Sequence, residues 1–333
     1  MLIGVTGGTG YLGAHSVCAL LARGDKVRLL VAPDAAGAPV LRYFSEIGDV
    51  DTVVGDIRDT ATVESLLDGC DALLHAAGVV GTDKRRAALM WEINAHATES
   101  ILTRGVEAGL DPVVSVSSYA ALFPPPDGLI GPDTPTAAGR SPYAQTKGHA
   151  DRVARRLQGA GAPVVITYPS SVVGPAFHTE PGVTERGWAP IVRWGVAPRL
   201  RGGMQMVDVR DVADVHAAIF TPSRGPRRYV CGGVLVAFDD MVTALERGAG
   251  RKLTRIPLNP RVFRGLSRVG DALSSVIAMG DGLSYEAALL LTAATPTDDS
   301  ATLRDLGITW RSPTDAIVAS FRDLAENGGD PGV

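Results

Sequence analysis

Short uninterrupted apolar runs punctuate the first half of the chain at 2–6, 27–31, 52–54, 72–76, 113–116 and 164–168. Between them lie stretches of helical periodicity, at 11–23, 60–68, 88–108 and 142–158. Strand then helix, repeated, predicts a parallel sheet with helices on both faces. The runs are continuous rather than alternating, as strands buried on both sides require. After Pro169 the rhythm breaks: 174–203 is rich in Pro, Gly, Trp and Arg without a clear period. A strand followed by a helix returns at 206–220, and 227–233 reads as one more strand of the sheet. The remainder, 236–326, is mostly helical, and 328–333 reads as a frayed tail. An apolar stripe at 262, 263, 266, 269, 273, 276 and 277 predicts a helix packed on a core, with a lid or a membrane-surface contact as alternatives.

Composition narrows the function classes. The 333 residues are 45% hydrophobic and 20% charged, which a folded globular chain matches and a disordered one does not. A net charge of -4, with Lys84-Arg85-Arg86 as the longest basic run, leaves no footprint for nucleic acid. Cys18, Cys70 and Cys231 are widely spaced and lack a CxxC or histidine partner, so they read as small buried residues in a reducing compartment. No metal site is expected. The apolar start "MLIGV" runs into glycines without a basic leader segment, and no apolar run reaches the roughly 20 residues of a membrane span. The expectation is a cytoplasmic protein without a transmembrane span.

The stretch "TGGTGYLG" at 6–13 joins the first strand to the first helix. Glycines there permit a tight turn, close approach of a diphosphate, and close helix–strand packing, while the helix N-terminus offers free N–H groups. Two registers fit, Gly8-x-Gly10-x-x-Gly13 and Gly7-x-x-Gly10-x-x-Gly13. The end of the second strand, where a carboxylate favours NAD and an arginine NADP, holds Val31 and Ala32. Asp34 is a ribose contact or a turn residue, and Arg42 meets a 2′-phosphate or faces water. Asp56 ends the third strand, where it either accepts from adenine or caps a helix; Asp59 is the alternative cap. Small residues and Gly78 close the fourth strand in "LLHAAG".

Tyr143 and Lys147 stand four positions apart in "SPYAQTKGHAD" and share a helix face. Such a pair is either surface decoration or a proton-transfer couple in which the ammonium eases ionisation of the phenol.

Taken with Gly55-Asp56, His75-Ala-Ala-Gly78, Asn94, "SVSS" at 115–118, "YPSSVVGP" at 168–175 and "VDVRDVADVHAA" at 207–218, these motifs stand in family order. The chain resembles the extended short-chain dehydrogenase/reductases, also called NAD-dependent epimerase/dehydratases, over essentially its whole length. The last two stretches are most similar to the branch of dihydroflavonol reductases, cinnamoyl-CoA reductases and 3β-hydroxysteroid dehydrogenases. Two residues depart: Tyr168 replaces an arginine common in sugar-nucleotide epimerases, and Ala32 stands where the reductase branch often carries an arginine for NADP.

The resemblance implies a Rossmann-type doubly wound parallel sheet, formed by 1–170 and 204–233, with a smaller, mostly helical substrate domain of 171–203 and 234–333. It implies Tyr143 as acid/base, Lys147 on the ribose hydroxyls, Ser118 on the substrate oxygen, and Asn94 hydrating the proton path. Ser117 is set aside, because strand residues alternate faces and the motif aligns Ser118. Cofactor contacts are expected from Thr6, Gly7, Gly10, Tyr11, Leu12, Gly13, Asp56, Ile57, Ala76, Ala77, Gly78, Tyr143, Lys147, Pro169 and Ser170. NADP and NAD both stay open, with a lean to NADP. A homodimer through helices near 88–108 and 142–158 is implied as well.

The loop 121–143 joins Ser118 to Tyr143 and must border the reaction centre. Phe177, Trp188, Trp194 and Met204 are candidates for an apolar wall or for core packing. Arg199 and Arg201 are candidates for an anionic group or for solvated positions. The expected activity is NAD(P)-dependent interconversion of a carbonyl and a secondary alcohol on an apolar small molecule. The alternatives are a sugar-nucleotide epimerase or dehydratase and, against the intact Ser118, Tyr143 and Lys147, a non-catalytic dinucleotide sensor.

Overall fold

The computed structural model describes residues 1–81, 83–273 and 285–326. The strands in chain order are β1 (Leu2–Thr6), β2 (Lys26–Val31), β3 (Val50–Val54), β4 (Ala72–His75), β5 (Val113–Val116) and β6 (Val164–Pro169). They continue as β7 (Ser171–Val173), β8 (Val196–Arg199), β9 (Gly203–Asp208), β10 (Arg227–Cys231), β11 (Val234–Ala237) and β12 (Thr254–Pro257). The helices are α1 (Tyr11–Ala22), α2 (Pro39–Ile47), α3 (Thr60–Leu67), α4 (Ala87–Met90), α5 (Thr98–Glu107), α6 (Pro142–Gly159), α7 (Val183–Trp194) and α8 (Val209–Ile219). The last five are α9 (Phe238–Ala249), α10 (Pro260–Leu273), α11 (Tyr285–Ala293), α12 (Ser300–Leu306) and α13 (Pro313–Glu326).

Seven strands form one parallel sheet in the order β10-β6-β5-β4-β1-β2-β3. The chain winds outward from β1 to β3, returns to β4, and winds outward again. The strand order therefore reverses between β1 and β4, and a crevice opens at their carboxyl ends, the usual ligand position in such sheets. One face buries Val17, Leu20, Val212 and Val215 from α1 and α8. The other buries Leu66, Ile101, Leu102 and Ala154 from α3, α5 and α6. The doubly wound fold is as expected.

Sequence chemistry sets the helix starts. Asp59 accepts the Thr62 N–H at the head of α3, Ser141 accepts that of Ala144 before Pro142 opens α6, and Asp208 accepts that of Arg210 at α8. Helix α2 has no counterpart in the pattern because it buries only Val40 and Phe44. The expected strand near 206 forms, but β9 pairs with β7 and β11 in a three-stranded sheet and not with the large one. β10 joins the large sheet beside β6, as expected.

A third core, with Trp188, Met206, Phe238, Leu245 and Ile317, gathers α7, α9 and α13 over this second sheet. β8 and β12 add a parallel pair, so this part carries more sheet than its sequence pattern suggests. The predicted stripe begins in α10, and its positions 276 and 277 lie outside the described residues, as does the tail. Among the described residues no helix is long and apolar enough to cross a membrane.

Candidate active site

The turn after β1 is built by backbone contact. Gly7 has φ +73°, and a Cβ there would lie 2.5 Å from the Ala77 nitrogen; one on Gly13 would lie 2.0 Å from the Gly7 carbonyl oxygen. Gly7 and Gly13 are therefore fixed by packing against the 76–77 backbone and the turn itself. Gly10 is exposed, and its Cβ would meet only Gly7 O, at 3.3 Å. Helix α1, which follows with Tyr11, Leu12 and Gly13, has no side-chain cap and no acidic residue in its first turn, unlike the capped α3, α6 and α8. An uncapped positive helix end beside an open glycine fits the diphosphate of a dinucleotide.

The floor of the crevice is a buried polar chain. The Thr6 hydroxyl pairs with His75 Nδ1 at 2.8 Å and accepts the Ala77 N–H at 3.3 Å, and His75 Nε2 pairs with Thr98 Oγ1 at 2.8 Å. Burial first, and the Lys147 charge second, push the His75 imidazole down to about 3, so it is neutral at ordinary pH. His75 thereby locks Ala76, Ala77 and Gly78 in place; it does not titrate there.

Asn94 lies in a π-helical stretch, Trp91–Ala97, that interrupts the helix between α4 and α5. Such bulges turn a side chain inward at functional sites. Its Oδ1 accepts the Val79 N–H at 2.7 Å, and its Nδ2 donates to the Val79 carbonyl at 2.9 Å and to Thr146 Oγ1 at 3.3 Å. A Cβ on exposed Gly78 would lie 3.3 Å from Asn94 Oδ1 and 3.6 Å from Lys147 Nζ. Asn94, Gly78 and Lys147 thus meet at one point. The solvated helix position is excluded, since Asn94 is buried.

Lys147 is buried, and its ammonium donates to the Val116 carbonyl at 3.0 Å. Desolvation lowers its pKa to about 8. Tyr143 is half-buried one turn earlier in α6. Ser118 follows β5, and its Oγ accepts the Ala120 N–H at 3.2 Å, leaving its own hydrogen free to donate. The short helical turn it caps, Tyr119–Leu122, packs against α6, the helix that carries Tyr143 and Lys147. The Ser117 hydroxyl is also buried and has no protein partner. The loop beyond is pinned: Ala137 N–H donates to Ala121 O at 2.7 Å, and Ile130 pairs with the 296–298 segment through its N–H and carbonyl.

Other candidates scatter. Asp56 and Ile57 do not end β3 but follow it in the turn before α3, with the Asp56 carboxylate forked onto Arg58, whose hydrogen bonds hold it below the usual carboxylate range. Asp59, not Asp56, caps α3. Ser170 gives its hydroxyl to Gly232 O at 2.8 Å, which fixes the segment after Pro169 at the end of β6. Tyr168 lies fully buried beneath α6, donating to Asp151 at 2.6 Å, so its replacement of arginine concerns packing.

The suggested apolar wall does not form as one surface. Phe177 packs on Tyr43 and His15, Trp188 is core, and Trp194 is 73% exposed. Arg199 pairs with Asp239 at 3.4 Å and Arg201 is exposed. His75, Thr146 and the Val116 carbonyl entered the site unannounced. Only the "LLHAAG" motif pointed to one of them.

Residues 3–232 match the model of the NAD dependent epimerase/dehydratase family. The chain belongs to that family. It is an enzyme class, and its members' NAD dependence agrees with the glycine turn described above. The chain is 27% identical over 329 residues to sterol demethylase protein B of Methylococcus capsulatus, covering 96% of this chain and 98% of that one. It is 27% identical over 323 residues to a 4-hydroxy-2-methyl-3-oxo-4-farnesyl-3,4-dihydroquinoline-1-oxide ketoreductase of Stigmatella aurantiaca, covering 92% and 91%. Among solved structures, UDP-glucose 4-epimerase of Bifidobacterium longum, bound to NAD+ and UDP, superposes with a TM-score of 0.75 at 19% identity over the whole of both chains. That likeness establishes the shared fold.

Proposed function

We propose that this family member is an NAD-dependent oxidoreductase that interconverts a carbonyl and a secondary alcohol on an apolar small molecule. The observation that carries the reading is the buried Lys147 ammonium, held by Val116 O beside Gly78 and Asn94 and one helical turn from Tyr143. A bound nicotinamide supplies or accepts the hydride. Tyr143 gives the substrate oxygen its proton or removes it. Lys147, with a pKa near 8, is still mostly charged at pH 7, favours tyrosinate, and holds ribose hydroxyls. Ser118 donates its free hydrogen to the same oxygen as charge builds there. The two relatives that span nearly the whole chain carry names of sterol and farnesyl-quinoline chemistry, which supports an apolar substrate.

Gly7, Gly10, Tyr11, Leu12 and Gly13 would hold the diphosphate, Asp56 and Ile57 the adenine side, Thr6 and Ala76–Gly78 the floor, and Pro169 and Ser170 the carboxamide. NAD rather than NADP is supported by the description of the family model and by the NAD+ bound in the epimerase structure. The reading extends to a cytoplasmic homodimer through α5 and α6. Their outward faces carry Glu99, His149, Arg152 and Arg156, with Leu89 and Trp91 just before them, so the contact would be largely polar. A monomeric mass by light scattering at micromolar concentration would exclude it.

The test of function is Tyr143→Phe, which removes only the proton-carrying hydroxyl. Turnover of NAD with hydrophobic secondary alcohols should fall by roughly 10²–10⁴ with the thermal midpoint unchanged. Full activity in the variant, or substrate conversion without net change in the cofactor, would overturn the proposal.

A further inference from the structure

One buried carboxyl has no part in the chemistry above. Glu185 sits in the first turn of α7, yet its side chain reaches back to the head of α1. Its Oε1 accepts the Gly174 N–H at 2.9 Å and lies 3.3 Å from the Tyr11 hydroxyl, which itself donates to the Gly174 carbonyl at 2.8 Å. Its Oε2 is sealed from solvent with no hydrogen-bond partner. Space there is closed: a Cβ on Gly182 would lie 2.5 Å from that oxygen and 2.8 Å from the Tyr11 ring.

The charged groups around it do not neutralise it. Arg186, the next residue, donates to Pro181 O and acts on Glu185 only through space. Arg210 on α8 is forked onto Asp208, and that buried carboxylate acts on Tyr11 as a second negative charge. His15 on α1 is engaged with Pro175 O at 3.0 Å, and His178 stacks on Phe177 and Tyr43. Burial raises the Glu185 carboxyl to about 7.

Tyr11 links this carboxyl to the cofactor turn, because the same residue begins α1 beside Gly10. We propose that Glu185 is a proton-linked partner of the dinucleotide, taking up one proton when the diphosphate settles on the α1 N-terminus. The carboxylate and a bound diphosphate would stand at the two ends of one tyrosine, and because the carboxylate end is sealed from water their repulsion is less screened than between two exposed charges. Protonation removes that repulsion and leaves no negative charge on the unpartnered Oε2. The inference rests on the glycine turn being the diphosphate site. It implies that NAD affinity falls as pH rises through and above about 7, by up to tenfold per pH unit.

The experiment is calorimetric titration of NAD into the protein between pH 6 and 8.5, in buffers of small and large ionisation enthalpy. Wild type should take up a proton in increasing proportion above pH 7, and its Kd should weaken over the same range. Glu185→Gln, which keeps the size of the side chain, should bind NAD with a pH-independent Kd, no uptake, and tighter affinity than wild type at pH 8.5. Lys147 has a pKa near the same range, and uptake persisting unchanged in Glu185→Gln would assign the proton there and overturn the inference. So would pH-independent binding in wild type. If the variant folds poorly, buffer-independent heats in wild type would still overturn the inference. Absence of NAD binding in folded wild type would instead overturn the cofactor reading, and this inference with it.

Discussion

Two ionisable side chains, Lys147 and Glu185, are held in the fold with their charged forms disfavoured by burial, and their stability windows are opposite in sign. The Lys147 ammonium is lowered from 10.5 to about 8, so the unfolded chain binds more protons between those values and stability rises with pH across them. Below about 8 the full penalty of a buried charge is present. The Glu185 carboxyl is raised from 4.5 to about 7, so stability falls with pH across that range, and the penalty is complete above it.

Each displacement corresponds to at most about 3 kcal/mol. Lys147→Met is expected to raise the urea midpoint of the cofactor-free protein at pH 7, and by less at pH 10, while abolishing turnover. Glu185→Gln is expected to stabilise at pH 8 and to be neutral at pH 4. A Lys147→Met variant less stable than wild type at pH 7 would mean that the hydrogen bond to Val116 outweighs the buried charge. Ser117 and Ser118 offer a second comparison, since both hydroxyls are buried. Ser118→Ala should lower turnover by roughly 10-fold or more, and Ser117→Ala should leave it within about twofold in steady-state assays.

Legibility at this scale follows distance along the chain. The Tyr143–Lys147 spacing and the glycine turn report local geometry and could be read directly. Glu185 could not, because its link to Tyr11 spans 174 residues. The partners of Tyr168 could not be read for the same reason, since they depend on what α6 lays over it.

At the scale of elements, the site is a set of element ends held at fixed separations by few contacts. The turn before α1 shows how unequal equivalent-looking glycines are. Gly7→Ala places a Cβ 2.5 Å from backbone at positive φ, so it should destabilise the fold by roughly 1–3 kcal/mol and lose NAD binding. Gly10→Ala meets only Gly7 O, at 3.3 Å, so it should fold normally and bind NAD more weakly. Thermal melts with and without NAD separate the two outcomes, and equal loss of stability in both variants would contradict the packing described.

The helix leading into α5 was predicted as one element, near 88–108, but its π-helical stretch was not. Periodicity locates a helix from its apolar face; it does not report an extra residue in one turn. That extra residue aims Asn94 at Val79. Strands β1, β2, β4, β5 and β6 of the large sheet were readable because runs of Val, Leu and Ile mark burial on both sides. β7, β8 and β11 were not, being short and only partly buried, so no continuous apolar run marks them.

Across the whole molecule, the C-terminal segment closes the structure onto the half built on the large sheet. Helix α13 packs on α9 in the third core, and α12 packs against β10 at the edge of the large sheet. Between these helices, Trp310 donates to Asp299 at 2.8 Å, and Asp299 in turn accepts the N–H groups of Gly232 and Gly233 after β10. Arg311 donates its backbone N–H to Asp211 on α8 at 2.7 Å, and its guanidinium pairs with Asp211 and, at 2.9 Å, with Asp214. Asp211 is almost fully buried, and desolvation holds its pKa above the usual carboxylate range, so it depends on this partner.

α8 also packs on α1, whose first turn follows the glycine turn. The two halves should therefore unfold as one unit. Because the guanidinium is 47% exposed, the loss in Arg311→Ala is smaller than for a fully buried pair, about 1–3 kcal/mol. Urea unfolding followed by both tryptophan fluorescence and far-ultraviolet dichroism is the measurement. Wild type should give coincident curves in which fluorescence as well as dichroism reports both halves, since Trp188 lies in the third core and Trp310 packs against the first. Arg311→Ala should shift both midpoints down together. Separate transitions in wild type would show that the third core folds independently and that the Asp211–Arg311 link does not couple the halves.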